Sequence, residues 1–345
     1  MRKLASIQEI TKIIPIEWAD TIELVLIKGW QCVAKKGEFK EGDLCVYFEV
    51  DSFLPVGDER YEFLRKTSYR KNEFMGEGFR IKTISLKGKI SQGLALPIKV
   101  FPEVTDVAVD TDLTSLLGIR KWDMPEQVSN AGVDIGDKPY GIPTTDETRL
   151  QSMPEFLQEF KDKPYYISTK MDGTSCTIYV KDGKVGVCGR NKEYKEDVKS
   201  CSMWTWVHKR GLADKLLKLK EDIAIQGEFC GHGIQKNPLR LSEPNLFVFD
   251  IVKLGEDRSR PKVGLEELQN YCEKLEVDTV PIEEVGESFN YTLEELLVRA
   301  TGNYPSGIAK EGIVVRTQSF SHNPQLNHKM SFKVINNDFL KKQKD

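Results

Sequence analysis

Ser168-Thr169-Lys170-Met171-Asp172-Gly173-Thr174-Ser175 sets the reading of the whole chain. It holds a lysine and a carboxylate two positions apart, closed by a glycine that lets the backbone turn. Lys-x-Asp-Gly spans only four positions, and by itself a surface turn accounts for it better than a reactive site. Its neighbours change that balance, because further chemistry-bearing strands follow in order.

Working outward, Thr177 to Val180, Lys181-Asp182-Gly183-Lys184 and Val185 to Cys188 read as a hairpin with an Asp-Gly turn. A two-residue turn there pairs Lys181 with Lys184 and brings Arg190 opposite Ser175, beside the lysine end of the motif. Ile223-Ala224-Ile225-Gln226-Gly227-Glu228 reads as a strand ending in a carboxylate, followed by a glycine-rich turn. In Asn245-Leu246-Phe247-Val248-Phe249-Asp250-Ile251 two phenylalanines share one face; they serve a core or cover a flat ligand. Glu311-Gly312-Ile313-Val314-Val315-Arg316 is another strand with an acidic head. Lys329-Met330-Ser331-Phe332-Lys333-Val334 alternates, so Lys329, Ser331 and Lys333 face opposite to Met330, Phe332 and Val334. Two helices are predicted, one over Gly264 to Leu275 and one after the Thr292/Glu295 capping box. Trp204 and Trp206 read as core.

Before this region the texture differs. Glu23 to Ile27, Trp30 to Ala34, Leu44 to Val50, Arg80 to Leu86 and Gly93 to Leu96 are short strand-like runs separated by Gly and Pro. They predict a small closed sheet over 1–120, with an OB-like barrel as the leading form. Residues 121–152, with Pro125, Gly132, Gly136, Pro139, Gly141 and Pro143, read as a linker and the entrance to a second domain over 153–345. A length of 345 residues accommodates two domains. With 39% apolar and 30% charged residues, the chain has the composition of an ordinary globular protein.

Composition also excludes some classes. The seven cysteines are scattered and form no C-x2-C pair, which argues against a disulfide framework and a thiolate zinc site. No run approaches the roughly 20 apolar residues of a membrane span, and the N-terminal residues lack a signal-peptide core. An intracellular protein, cytoplasmic or nuclear and not secreted, is expected. A net charge of −3 does not advertise nucleic acid, yet 50 Lys+Arg suffice to build a basic stripe. Tyr61, Arg65, Lys66, Tyr69, Arg70 and Lys71 interleave aromatic and basic groups in an apparent loop, and Arg80, Lys82, Lys87 and Lys89 follow. Such a mix suits phosphate neutralisation with base stacking.

Taken together, the ordered motifs over 168–336 resemble the covalent nucleotidyltransferase superfamily of ligases and mRNA capping enzymes. Arg80-Ile81-Lys82-Thr83-Ile84-Ser85-Leu86-Lys87-Gly88, Ser91-Gln92-Gly93-Leu94, Thr145 to Gln151 and Ser331-Phe332-Lys333-Val334-Ile335 resemble one branch of it, the ATP-dependent RNA ligases with an OB domain ahead of the catalytic domain. The resemblance implies an α+β protein: an N-terminal OB-like β-barrel and a C-terminal nucleotidyltransferase (ATP-grasp-like ligase) domain of antiparallel sheets flanked by helices. It implies that Lys170 is the adenylated lysine, Asp172 the carboxylate of the same motif and Arg190 the downstream arginine. Glu228 and Glu311 match the two strand-borne glutamates, Phe247 or Phe249 the base-stacking aromatic and Lys333 the final-motif lysine. Arg149 matches an ATP phosphate contact. The family's last motif is commonly Lys-x-Lys; here Ser331 takes the first place, with Lys329 on the same predicted face. Arg65, Lys66, Arg70, Lys71, Arg80, Lys87 and Lys89 become candidates for gripping RNA, and the enzyme is expected to act as a monomer.

The chemistry gives those residue types a reason. An unperturbed lysine titrates near 10.4, so a neutral amine near pH 7 needs roughly 4.6 kcal/mol of bias against the ammonium. Carboxylates alone push the wrong way. Asp172, Glu228 and Glu311 therefore make sense as a site for Mg2+ or Mn2+ beside the ATP phosphates. A DNA ligase and a capping guanylyltransferase share this chemistry, though a capping enzyme usually carries its OB domain after the last motif. A non-catalytic OB-type nucleic-acid binder is the rival from another class, and the intact lysine and carboxylates speak against it.

Overall fold

The computed structural model describes residues 2–123, 133–254, 262–319, 322–323 and 328–342. Pro125 and Gly132, read as linker residues, lie outside the described residues. The chain forms two compact units, Met1–Pro125 with Gln151–Pro154 and Leu340–Asp345, and Glu126–Leu150 with Glu155–Phe339.

The first unit is built around the strand Leu44–Phe48, which pairs antiparallel with Ala5–Glu9 on one edge and Leu94–Pro97 on the other. Its side chains alternate between two cores. Val46 and Phe48 pack with Ile7, Phe79 and Phe101, whereas Cys45 and Tyr47 pack with Val25, Trp30 and Phe39. Burial on both faces explains why this strand shows an unbroken apolar run. Lys12–Pro15, Ile22–Ile27 and Trp30–Lys35 form a meander, and Arg120–Lys121, Ser52–Leu54, Gly76–Arg80 and Tyr69–Asn72 form a four-stranded sheet.

Two sequence expectations are corrected in this unit. The run Arg80 to Leu86 is not one strand: Gly76–Arg80 ends before Ile81, whose side chain enters the core, and Ile84–Leu86 belongs to a separate hairpin with Lys89–Ser91. The segment read as a loop is instead a 3-10 helix, Glu59–Leu64, running into a short helix, Arg65–Ser68, and the strand Tyr69–Asn72. Asp58 starts it by accepting from the Arg60 amide at 3.0 Å. Tyr61 is fully buried edge-on to Phe48, which removes it as a stacking platform.

In the second unit, seven strands form a sheet in the order Asp134–Asp137, Lys192–Tyr194, Lys184–Cys188, Thr174–Lys181, Ile223–Cys230, Asn245–Lys253 and Asp278–Thr279. A four-stranded sheet contains Ile282–Gly286, Tyr165–Lys170, Gly312–Thr317 and Ser331–Ile335. The helices Ser202–Lys209, Leu212–Leu219 and Leu265–Leu275 contribute Trp204, Trp206, Leu216 and Leu268 to the largest core, with the tryptophans inside as expected. The hairpin register follows the Asp-Gly reading, with Lys181 opposite Lys184 and Thr177 opposite Cys188. Both ends of the other predicted device are present too, since Thr292 and Glu295 cap Leu293–Ala300 reciprocally.

Candidate active site

Lys170 ends a strand of the four-stranded sheet, and four residues later Thr174 begins a strand of the seven-stranded one. The chain crosses between sheets through Met171, Asp172 and Gly173. Met171 anchors the crossing in an apolar cluster with Cys230, Val280 and Tyr304. Gly173 passes so close to the neighbouring strand that a Cβ would sit 2.4 Å from the Phe229 carbonyl oxygen. Its amide donates to Glu228 Oε1 at 3.1 Å, tying the crossing to the strand Ile223–Cys230.

Around this crossing the predicted residues converge. Lys170 Nζ lies 2.7 Å from Glu311 Oε2. Tyr304, which the sequence reading did not single out, joins the same two residues: its hydroxyl donates to the Lys170 carbonyl at 2.8 Å and accepts from the Glu311 amide at 3.1 Å. Burial by itself lowers the lysine's affinity for its proton, but Glu311, Glu228 and Asp172 outweigh burial and hold Lys170 as ammonium, above its ordinary range. Burial, reinforced by the Glu311 charge, pushes Asp172 up to about 6. Burial likewise pushes Glu228 up to about 8, with Glu311 adding repulsion against the attraction of Lys170.

The rest of the site is a cleft lined by Lys170, Glu228, Arg190, Phe249, Arg316 and Lys333, among others. Arg190 and Ser175 both line it, and Arg190 is held by Asp146 at 3.0 Å; the hairpin pairing stops at Thr177 and Cys188, short of the expected Ser175–Arg190 pair. Arg149 forms a parallel bridge with Lys333, and the Lys333 amide donates to the Thr148 carbonyl at 2.8 Å, so the entrance segment adds to the edge of the strand Ser331–Ile335. Burial, with Lys170 and Arg149 nearby, pulls the Lys333 amine down to about 7. Phe247 and Phe249 both pack against the apolar cluster around Met171, and Phe249 also lines the cleft. Ser331 is buried and donates to Glu147 Oε2 at 2.6 Å. The Lys329 side chain lies outside the described residues.

This constellation has a family. A profile of the RNA ligase family matches residues 163–335, and a profile of an OB-fold domain matches residues 4–98. The chain belongs to the RNA ligase family. It is similar to solved structures of Naegleria gruberi RNA ligase over nearly the full length of both chains. A lysine-to-alanine mutant of that protein with ATP and Mn is 35% identical, with 99% of each chain covered and a TM-score of 0.89. A lysine-to-methionine mutant with AMP and Mn is 36% identical, with 100% of each chain covered and a TM-score of 0.90. The form with PPi is 36% identical, covers 99% of this chain and 98% of that one, and has a TM-score of 0.87. The curated proteins contain no match to the chain.

The ligase's carboxylates suit a hard divalent cation. Burial, with repulsion from Glu311, holds Asp172 and Glu228 above their usual range, a cost that a cation beside them would relieve. All three acids offer oxygen donors, the ligands Mg2+ and Mn2+ prefer. Among the described residues, no three acidic, histidine or cysteine side chains stand close enough to hold a metal by themselves. Water and substrate oxygens would complete the shell of an ion here, as is usual for Mg2+.

In its first unit the ligase spreads the basic candidates over separate elements. Arg65 is paired with Glu62 at 2.6 Å and lies over the rings of Tyr69 and Phe79. Arg70 donates to the Tyr69 carbonyl at 2.7 Å, and Arg80 lies over Trp122. Lys66 and Lys71 are exposed on the helix-strand segment, Lys87 and Lys89 on the hairpin. Among the described residues, no helix is long and apolar enough to cross a membrane.

Proposed function

We propose that this RNA ligase joins a 3′-hydroxyl to a 5′-phosphate, sealing nicks in RNA, through a covalent adenylate on Lys170. The observation that carries this reading is the Lys170–Glu311 pair at the crossing between sheets, with Glu228 and Asp172 beside it. When bound, Mg2+ or Mn2+ supplies positive charge that offsets the carboxylates and the ATP phosphates. Glu311, once its charge is satisfied elsewhere, no longer holds Lys170 as ammonium; the ammonium gives its proton to solvent, and the neutral amine becomes a nucleophile. Lys170 Nζ attacks the α-phosphorus; a P–N bond forms, the bond to pyrophosphate breaks, and AMP stays on the lysine. Arg149 and Lys333 meet the charge that builds on the phosphates. Phe249 stacks the adenine, and Arg190 serves the nucleotide near Ser175.

In the second step an oxygen of the RNA 5′-phosphate attacks the adenylate phosphorus, breaking the P–N bond and restoring the Lys170 amine. In the third, the neighbouring 3′-hydroxyl attacks the activated 5′-phosphorus and AMP leaves. Arg65, Lys66, Arg70, Lys71, Arg80, Lys87 and Lys89 contribute phosphate contacts to the RNA. The reduced, buried cysteines support an intracellular setting.

Incubation with ATP and Mg2+ adds the mass of one adenylate to the wild type, on the peptide carrying Lys170, and nothing to Lys170→Ala. An adenylated Lys170→Ala protein removes the mechanism. Nicked duplexes carrying RNA or DNA on the 3′-hydroxyl side separate RNA sealing from DNA sealing; equal use of both ends overturns the RNA assignment.

A further inference from the structure

One buried charged cluster takes no part in the steps above. Arg316, only 7% exposed, donates to Glu147 Oε1 at 3.1 Å, and Ser331 donates to Glu147 Oε2. The guanidinium carbon of Arg316 lies 5.6 Å from the centre of the Phe249 ring. Glu147, Phe249 and Arg316 all line the cleft.

The sheet register says which end of a nucleotide this cluster meets. Lys170 pairs with Gly312; two residues back, Ser168 pairs with Val314, which pairs with Lys333; two further, Tyr166 pairs with Arg316, which pairs with Ser331. Each step of two residues is roughly 7 Å along the strands. The face therefore runs from the nucleophile, past a cation suited to phosphate, to the Arg316–Ser331 rung beside Phe249. A buried ion pair is generally no more stable than apolar side chains of the same volume. Stability alone gives no reason to keep one in the wall of a cleft.

Recognition does. The pair sets a donor, Arg316, beside an acceptor, Glu147, whose carboxylate oxygens accept more than one hydrogen bond each. Adenine presents the complement, a ring nitrogen that accepts beside an amine that donates, whereas guanine presents two acceptors on the same edge. We propose that the Arg316–Glu147 pair reads the base of ATP, Arg316 donating to a ring nitrogen and Glu147 accepting from the exocyclic amine, with Ser331 fixing the carboxylate. This rests on the reading that Phe249 stacks the adenine.

The test compares lysyl-nucleotide formation by the full chain with ATP, with GTP and with purine riboside triphosphate, which is ATP without the amine. The wild type is expected to favour ATP over the amine-free analogue about 10- to 100-fold in kcat/KM, the range of one hydrogen bond to a charged group. Equal use of the two by the wild type overturns the proposal without any variant. In Glu147→Met/Arg316→Met the preference should collapse to within about twofold and GTP labelling should rise. An unchanged preference in a double variant that melts like the wild type also overturns it. Phe249→Ala should weaken ATP and the analogue alike. If that variant labels normally with both, the base placement fails and takes this inference with it; if it weakens both while the double variant keeps its preference, only the Arg316–Glu147 pair has failed.

Discussion

The two ends of the ligase cleft treat buried charge in opposite ways. At the Arg316 end every charge is answered: Arg316 meets Glu147, Glu147 meets Ser331, and Lys262 meets Asp250 nearby. At the Lys170 end one ammonium faces Glu311, Glu228 and Asp172, and two of those acids are driven above their normal range. The contrast teaches where the fold is finished and where it waits for a reactant. The balanced end is a wall of paired charges; the unbalanced end is complete only when cation and triphosphate arrive.

The largest effect expected from breaking this contrast is on chemistry. Glu311→Ala should lower the rate of lysyl-adenylate formation roughly 10²- to 10⁴-fold, the range for losing a positioned acid-base group. Single-turnover labelling checks it, and a rate within tenfold of wild type would remove Glu311 from the mechanism. At the other end the effect falls on stability. Arg316→Met strands Glu147 without its partner and should cost about 3–5 kcal/mol, lowering the melting temperature by roughly 6–20 °C. A melting curve that overlays the wild type would show that the wall is not held by this pair.

A smaller effect sharpens the comparison through pH. Asp172 and Glu228 titrate near 6 and 8 when folded, against ordinary carboxylate values near 4, so the folded protein binds their protons more tightly than the unfolded chain. Without metal, stability should therefore fall as pH rises from about 4 towards 8. Lys333, pulled down to about 7, acts in the opposite sense above that pH, so the trend is cleanest between pH 5 and 7. Added Mg2+ should raise the melting temperature more at pH 7 than at pH 5, and Glu228→Gln should shrink that difference. An Mg2+ effect of the same size at both pH values would contradict this. The smallest change, Tyr304→Phe, removes one hydroxyl between Lys170 and Glu311 and should cost about 1 kcal/mol, or roughly fivefold in labelling rate. Unchanged labelling would make Tyr304 a packing residue only.

The unbalanced end was far more legible in the sequence than the balanced one. Lys170, Asp172 and Glu311 sit at a strand end or in the residues flanking strands. Glu228 lies two residues short of the end of Ile223–Cys230, a strand that runs past the carboxylate where the sequence predicts it to stop. In each case a charged residue interrupts an apolar run and the break itself is a signal. The Asp182-Gly183 turn fixed a register because a two-residue loop leaves no slack. Arg316 and Glu147 are 169 positions apart, and neither local periodicity nor a turn announces their meeting. Tyr304 was equally silent, one aromatic in a connecting segment whose partners lie at the end of one strand and just before the start of another. In the first unit the basic-aromatic run misled, because burial of Tyr61 and helix initiation at Asp58 depend on a core assembled from distant strands.

The three residues between Lys170 and Thr174 make the cleft a gauge of how its two sheets are spaced. The reactive amine hangs from one sheet and Glu228 from the other, and Gly173 is the thinnest possible spacer between them. Even a single methyl there would work as a shim, prising nucleophile and acid apart while leaving every charge in place.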